Sequence, residues 1–362
     1  MAPKSDVNLK NESRAGEAAS MLAVDIGGGT QDILLYTKGE LIENCPKMIM
    51  PSPTRLVANK IAQATRGGRA VFLFGETMGG GSCTRAAKQH IAAGLPLYAT
   101  EQAALTFNDD LKRVETMGVL LTDEPPGSAV PIRTGDVDTE AIASCLRSFD
   151  IETPELWAVA VQDHGYSPGR SNREARFDWY RHFIDSGGEI GRLAFSEVPE
   201  FFTRMRAVKR VLPRALLMDT GPAAILGSLV DEAVRQRTDE GVIIVNAGNY
   251  HVLCAMVLGE HIVGLLEHHT GMLDFASFKS MLTRFRDGML TNEEVVQTGG
   301  HGCCARISEI GKGRFALVSI TGPRRETFPL ENAHIAAPHG DVMLTGCFGL
   351  VEGARKTGFI RG

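Results

Sequence analysis

The sequence predicts an α/β protein made of two like halves, and three features predict it. A glycine hairpin opens the chain at residues 21–36, MLAVDIGGGTQDILLY, and a second of the same layout stands at residues 242–258. Between them, short apolar runs alternate with helical patterns, the mark of parallel strands joined by crossover helices. The length of 362 residues is enough for two domains with sizeable cores. A hydrophobic content of 43% and a charged content of 22% are those of an ordinary globular chain.

In the first hairpin, Met21-Leu22-Ala23-Val24 runs into Asp25, Gly27-Gly28-Gly29-Thr30 turns the chain, and Ile33-Leu34-Leu35-Tyr36 returns. Glycines without a Cβ let backbone N–H groups converge on an anion. Asp25, at the strand end, is placed to hold a hydrated Mg²⁺ beside it. Dinucleotide and P-loop motifs run from strand into helix; this one runs from strand into strand and is a different device. Taken alone, the stretch fits equally a hairpin whose glycines serve only its shape. A turn at Gly39-Glu40 leads into a third strand over 41–50, ended by Pro51 and Pro53. A helix is expected over 52–65 and a strand over 71–74. After the loop 75–82 comes a helix to about Ala93, closed by Gly94. A strand at 95–99, a helix at 101–117 and a strand at 119–121 follow. The loop 78–82 lies between a strand end and a helix start, the usual crevice for an anionic ligand. It lacks G-x-G-x-x-G and G-K-[ST], and close backbone packing explains it as well.

The next helix, 138–149, has Asp136 or Asp138 as its cap. A strand at 157–161 runs into Gln162-Asp163-His164-Gly165. A polar cluster directly after a buried strand is a candidate active-site loop. Asp163 and His164 are placed to act as a general base and its orienting partner, or as a turn cap and a structural imidazole. Helices are expected over 170–184 and 201–211, then a strand end and a small-residue helix over 216–227. The second hairpin passes through Asn246-Ala247-Gly248-Asn249-Tyr250 and is followed by a third strand at 262–266. Helices come next at 273–285 and 292–297. The compact stretch 299–304, GGHGCC, reads as a plain loop: adjacent cysteines rarely ligate one ion together, and no paired Cys/His spacing accompanies them. Strands at 315–321 and 341–344 precede the turn Thr345-Gly346-Cys347-Phe348-Gly349 and a helix to about Lys356.

The formal net charge of -5 provides no global basic field for nucleic acid or an anionic membrane. Short basic clusters such as Lys209-Arg210 read as solvated helix faces. Seven scattered cysteines without C-x-x-C point to reduced thiols in a cytoplasmic protein. Residues 1–20 carry no apolar h-region and read as a disordered tail. No apolar run is long enough to span a bilayer.

Asp25-Ile26-Gly27-Gly28-Gly29-Thr30 resembles a phosphate loop of the actin, heat-shock chaperone and sugar or acetate kinase superfamily. Gly221-Pro222-Ala223-Ala224-Ile225-Leu226 resembles its first connecting helix, 241–258 stands in the place of its second phosphate loop, and 342–349 resembles its adenosine-binding turn. The resemblance implies a duplicated actin-like ATPase (ribonuclease H-like) two-domain fold. The first domain would cover 21–215, with an α/β unit inserted over 51–135, and the second 216–362. More narrowly, 75–81, 162–165 and 338–349 resemble a bacterial and archaeal family, some of whose members carry the label pyruvate formate-lyase activating enzyme. Such enzymes bind an iron–sulfur cluster through C-x-x-x-C-x-x-C. No such run is present, so a radical S-adenosylmethionine mechanism is not expected.

What the superfamily resemblance implies is ATP with Mg²⁺ in an interdomain cleft. Gly27, Gly28, Gly29 and Thr30, with Gln31, would cradle the phosphates, and Asp25 would hold Mg²⁺ through water. Asn246, Gly248 and Asn249 would form the second loop, Gly346 and Gly349 would face adenosine, and Asp163 or His164 would orient the acceptor. Asn246 stands where the superfamily carries Asp, and an amide is a poorer metal ligand and no base. The expected function is a small-molecule kinase or ATPase. The alternatives are a nucleotide-operated switch that activates a partner enzyme, and a degenerate binding protein. The partner is accordingly a small-molecule phosphoryl acceptor or a protein.

Overall fold

A computed structural model describes residues 20–311 and 313–360; the expected tail over 1–20 lies, but for Ser20, outside them. β1 (Met21–Ile26) and β2 (Thr30–Tyr36) form the first hairpin, with Asp25 opposite Asp32. β3 (Lys47–Pro51) adds to β2. It starts later than the apolar pattern suggests. A 3-10 turn over Ile42–Asn44 comes first, and Pro46 has no N–H to give the ladder.

The chain then leaves this sheet for α1 (Pro53–Arg66), β4 (Val71–Gly75), α2 (Gly81–Ala92), β5 (Leu97–Ala99), α3 (Glu101–Ala104), α4 (Leu111–Thr116), β6 (Val119–Leu121) and β7 (Val130–Thr134). Its strands make a separate parallel sheet, order β6-β5-β4-β7, over its own core of Val57, Ile61, Leu73, Ala87 and Ile132. The single helix expected over 101–117 is two. Asp110 caps α4 by accepting from the Lys112 N–H at 3.0 Å, a local bond that competes with continuing the helix.

α5 (Thr139–Arg147) is capped by Asp138 and leads to β8 (Leu156–Val161), which lies parallel to β1. α6 (Asn172–Asp185), α7 (Thr203–Val211) and β9 (Leu216–Met218) complete the first sheet, order β3-β2-β1-β8-β9. α8 (Thr220–Ser228) and α9 (Glu232–Arg235) lead into β10 (Val242–Ala247), β11 (His251–Leu258) and β12 (His261–His269). α10 (Phe275–Arg286), α11 (Asn292–Gln297), β13 (Gly302–Ala305), β14 (Leu317–Thr321), β15 (His334–Ile335) and α12 (Thr345–Lys356) follow. The second sheet has the order β13-β12-β11-β10-β14-β15. Two expectations are corrected here. The stretch read as a plain loop contains β13, paired with β12. Residues 341–344 are not a strand. The Asp341 carboxylate accepts from the Met343 N–H at 2.8 Å and the Leu344 N–H at 3.3 Å, a local turn that feeds α12.

The two sheets share one plan. In each, a central strand carries an antiparallel hairpin on one side and a parallel strand on the other, β8 beside β1 and β14 beside β10. The hairpin turns close on the same bond, Gly27 N–H to Thr30 C=O at 3.0 Å and Gly248 N–H to His251 C=O at 2.8 Å. This is the duplicated actin-like plan that the resemblance implies. Strand alternation sorts the side chains. Met21 and Ala23 of β1 and Val242 and Ile244 of β10 enter a core shared by both sheets with α6, α8 and α12. Leu22 and Val24 face α5 and α7, while Ile243 and Val245 face α10 and α11. Among the described residues no helix is long and apolar enough to cross a membrane.

Candidate functional site

Alternation also decides which polar residues meet between the sheets. Asp25 continues the inward row of Met21 and Ala23, and Asp32 the inward row of Leu34 and Tyr36. Asn246 is the matching position on β10. Together with Gly27, Gly28 and Thr30 from the first half, and Gly248, Asn249 and Gly346 from the second, they line a cleft of about 100 Å³. Oδ1 of Asp25 and Oδ1 of Asp32 are both buried there with no hydrogen-bond partner. Gly346, in the first turn of α12, is held against Asp25: a Cβ on it would stand 1.9 Å from Oδ2. Burial, reinforced by the nearby Asp32 and Asp219, holds the Asp25 carboxyl well above the usual range. Burial lifts Asp32 to about 7, against the hydrogen bond from the Thr30 hydroxyl and helped by Asp341. Two buried carboxyls with unpartnered oxygens fit a hard divalent cation, which reverses that electrostatic balance.

Three of the residues expected to hold the nucleotide lie outside this cleft. Gly29 presents its carbonyl to the Ser52 N–H and the Arg55 guanidinium, each at 3.2 Å. Gln31 has the outward parity of β2 and donates to the Pro51 carbonyl at 3.1 Å. Gly349 lies at the crossing of α12 with α8, where a Cβ would stand 1.8 Å from the Ala223 carbonyl oxygen. The second turn also lies directly on the first. A Cβ on Gly28 would meet the Tyr250 ring at 2.1 Å, and one on Gly29 the Asn249 amide at 2.3 Å. The Tyr250 hydroxyl reaches Ser82 of α2 at 3.0 Å.

Beyond Tyr250 opens a larger cavity, about 640 Å³, between the first turn, the loop 78–82 and the loop 162–165. Asp136, one of two expected helix caps, anchors this region. It accepts from the Gly79 N–H at 3.2 Å and pairs with Arg204 at 2.8 Å. Asp163 is 1% exposed. Its carboxylate oxygens are taken by the Gly165 and Met205 N–H groups, each at 2.9 Å. Burial still raises it to about 6. His164 lies in the cavity wall among other imidazoles. Its ring centroid is 5.1 Å from that of His301 and 5.9 Å from that of His251, with His251 and His301 4.6 Å apart. His269 stands 4.8 Å from His251 and 4.7 Å from His301. Burial pushes His164 well below the usual histidine range, His251 to about 3 and His269 to about 4.

A buried polar net joins the two regions and escaped sequence reasoning. Arg176, 2% exposed, donates to Asp219 at 2.8 and 3.0 Å, to Glu267 at 2.8 Å and to the Asp163 carbonyl at 2.7 Å. Glu267 also accepts from Gln162 at 3.1 Å and lies 3.2 Å from His301 Nδ1. Burial opposes its ionisation, but Arg176 and His301 outweigh that and hold it well below the usual range. Glu267, a charged residue directly after the expected apolar strand at 262–266 and inside β12, was the available signal. All seven cysteines are free. Among the described residues, the three-membered group able to hold a metal is His164, His251 and His301, not a set of thiols.

A family model described as "Putative pyruvate format-lyase activating enzyme (DUF1786)" matches residues 78–327, more than half of the chain, and the chain belongs to that family. No curated protein matches it. Among solved structures it is similar to an exopolyphosphatase-like protein at 10% identity, covering 84% of this chain and 66% of that one with a TM-score of 0.28. The Aquifex aeolicus member of the Ppx/GppA family matches at 10% identity over 85% and 67% of the two chains, TM-score 0.26. A nucleotide-free acetone carboxylase, from a study of ATP-dependent acetone carboxylation, matches at 10% identity over 68% and 45%, TM-score 0.22. The chain thus spans about two thirds of the first two structures and less than half of the third.

Proposed function

We propose that the chain binds Mg·ATP in the cleft between the two sheets and transfers its terminal phosphoryl group to a small acceptor or to water. The observation that carries this reading is the pair of unpartnered, buried carboxylate oxygens on Asp25 and Asp32, set beside two matched glycine turns. Asp25 would hold Mg²⁺ through water. Gly27, Gly28, Thr30 and Gly248 would face the phosphates, and Gly346 the nucleoside side. The cation would supply charge neutralisation on the phosphates; the rest is positioning and exclusion of water. The larger cavity adjoins the first turn through Gly27 and Gly28, which suits the acceptor.

A second reading, a nucleotide-operated switch acting on a partner enzyme, is favoured by Tyr250 and Asn249. They fill the face of the first turn and leave about 100 Å³, where small-molecule pockets hold about 300–1,000 Å³. Nucleotide entry therefore requires the turns to part, and the Tyr250–Ser82 contact couples that movement to α2, which follows β4 of the separate parallel sheet. Asn246 in place of a carboxylate suits slow hydrolysis. Radical chemistry has no support here: the cysteines lack the motif it needs, and no group of them converges among the described residues.

Thermal unfolding with and without Mg·ATP tests both readings. Saturating ligand raises the melting temperature by mass action. A rise of a few degrees in the wild type, lost in Asp25→Ala, is the expected result. No rise at millimolar Mg·ATP overturns nucleotide binding in either form. Acceptor-stimulated ATP turnover then selects the kinase, and slow turnover that no acceptor stimulates selects the switch.

A further inference from the structure

Three imidazoles converge in the wall of the larger cavity from distant parts of the chain. His164 follows β8, His251 opens β11 and His301 precedes β13. One ring nitrogen from each lies within 4.8 Å of the others. Two observations set the group apart from ordinary ring packing. Nδ1 of His251 is buried without a hydrogen-bond partner, a state that is costly in a finished core and that a bound cation would relieve. Glu267 Oε2 lies 3.2 Å from His301 Nδ1. That carboxylate–imidazole pairing holds the proton on Nδ1 and leaves the Nε2 lone pair for a metal. Arg176 and Gln162 fix Glu267 in turn.

We propose that His164, His251 and His301 bind one divalent first-row transition-metal cation, of which Zn²⁺ is the type case, with a further coordination position open to the larger cavity. Imidazole ligands select zinc, copper, iron or nickel, whereas Mg²⁺ takes oxygen. The site therefore chooses a different ion from the Asp25 cleft on the other side of Tyr250. At metal–nitrogen distances of about 2.0–2.1 Å, tetrahedral ligands stand about 3.4 Å apart. Small side-chain rotations close the remaining gap. Three protein ligands and one open position is the pattern of a reactive rather than a purely structural site. The proposal does not rest on the nucleotide reading.

The test uses the full chain, stripped by chelation, loaded with Co²⁺ or Zn²⁺ and freed of excess metal by gel filtration. About one metal per chain is expected, with Co²⁺ ligand-field bands and no thiolate-to-cobalt charge transfer. His164→Ala and His251→Ala should each weaken binding more than tenfold, and Glu267→Gln about 10–100-fold. The double variant Cys303→Ser/Cys304→Ser should leave binding unchanged, as should Asp25→Ala, which separates this site from the nucleotide cleft. No stoichiometric metal, a thiolate charge-transfer band, or unaltered affinity in the histidine variants overturns the proposal. Should a histidine variant fail to fold, the wild-type cobalt spectrum decides by itself.

Discussion

Asp32 keeps its proton up to about pH 7 because burial penalises its charge, despite the Thr30 hydroxyl and with help from Asp341. In the unfolded chain an aspartate ionises near pH 3.9. Between these values the folded state holds a proton that the unfolded state has released. Stability from this group is therefore complete below about pH 4 and is lost as pH rises through about 7. A rise from about 3.9 to about 7 corresponds to an effect on the order of 4 kcal/mol. Asp32→Asn is expected to raise the melting temperature at pH 8 in the presence of chelator and to flatten its fall between pH 4 and 7. A wild-type slope in the variant refutes the assignment. Asp25 adds a contribution of the same sign, since burial and two neighbouring carboxylates raise it as well.

The paired hairpins and the α8–α12 crossing make separable predictions. Ala223 presents its carbonyl where a Cβ on Gly349 would stand, and backbone cannot yield as a side-chain tip does. Gly349→Ala should cost at least the typical 1–3 kcal/mol of overpacking, read as a lower denaturant midpoint with the Mg·ATP response intact. Loss of that response at an unchanged midpoint would return Gly349 to the nucleotide site. Tyr250 acts from the opposite hairpin. Tyr250→Ala should uncover Gly28 and tighten Mg·ATP binding in calorimetry, while Tyr250→Phe removes only the contact with Ser82. Weaker binding in Tyr250→Ala would mean that the ring holds the ligand instead of excluding it.

The two halves are joined through buried charge as well as through the shared core. Arg176 on α6 bonds Asp219, the cap of α8, and Glu267 on β12. Arg176→Ala leaves two buried carboxylates without their counter-charge, and breaking such a pair costs about 3–5 kcal/mol. A denaturant midpoint lowered by that amount is expected, and a loss below 1 kcal/mol would show that the net is solvated. The same net holds Gln162 and His301 in place, so the variant should also weaken transition-metal binding.

Much of this architecture was legible because its causes are local. Apolar runs broken by glycine mark both hairpins, and the repeated layout of 21–36 and 242–258 announces the duplication. The misplaced boundaries lie at Pro46, Asp110 and Asp341, where proline or a short acidic side chain reshapes the backbone against the apolar pattern. Strand parity, written in the residues, already separates inward Asp32 from outward Gln31. The burial of Gly349 against Ala223 was not written there, because a glycine in a helix serves a ligand or a neighbouring helix equally well until the neighbour is in place. Nor was the meeting of His164, His251 and His301. Their ligand geometry arises from the stacking of one sheet on the other, and no spacing along the chain records a distance between sheets.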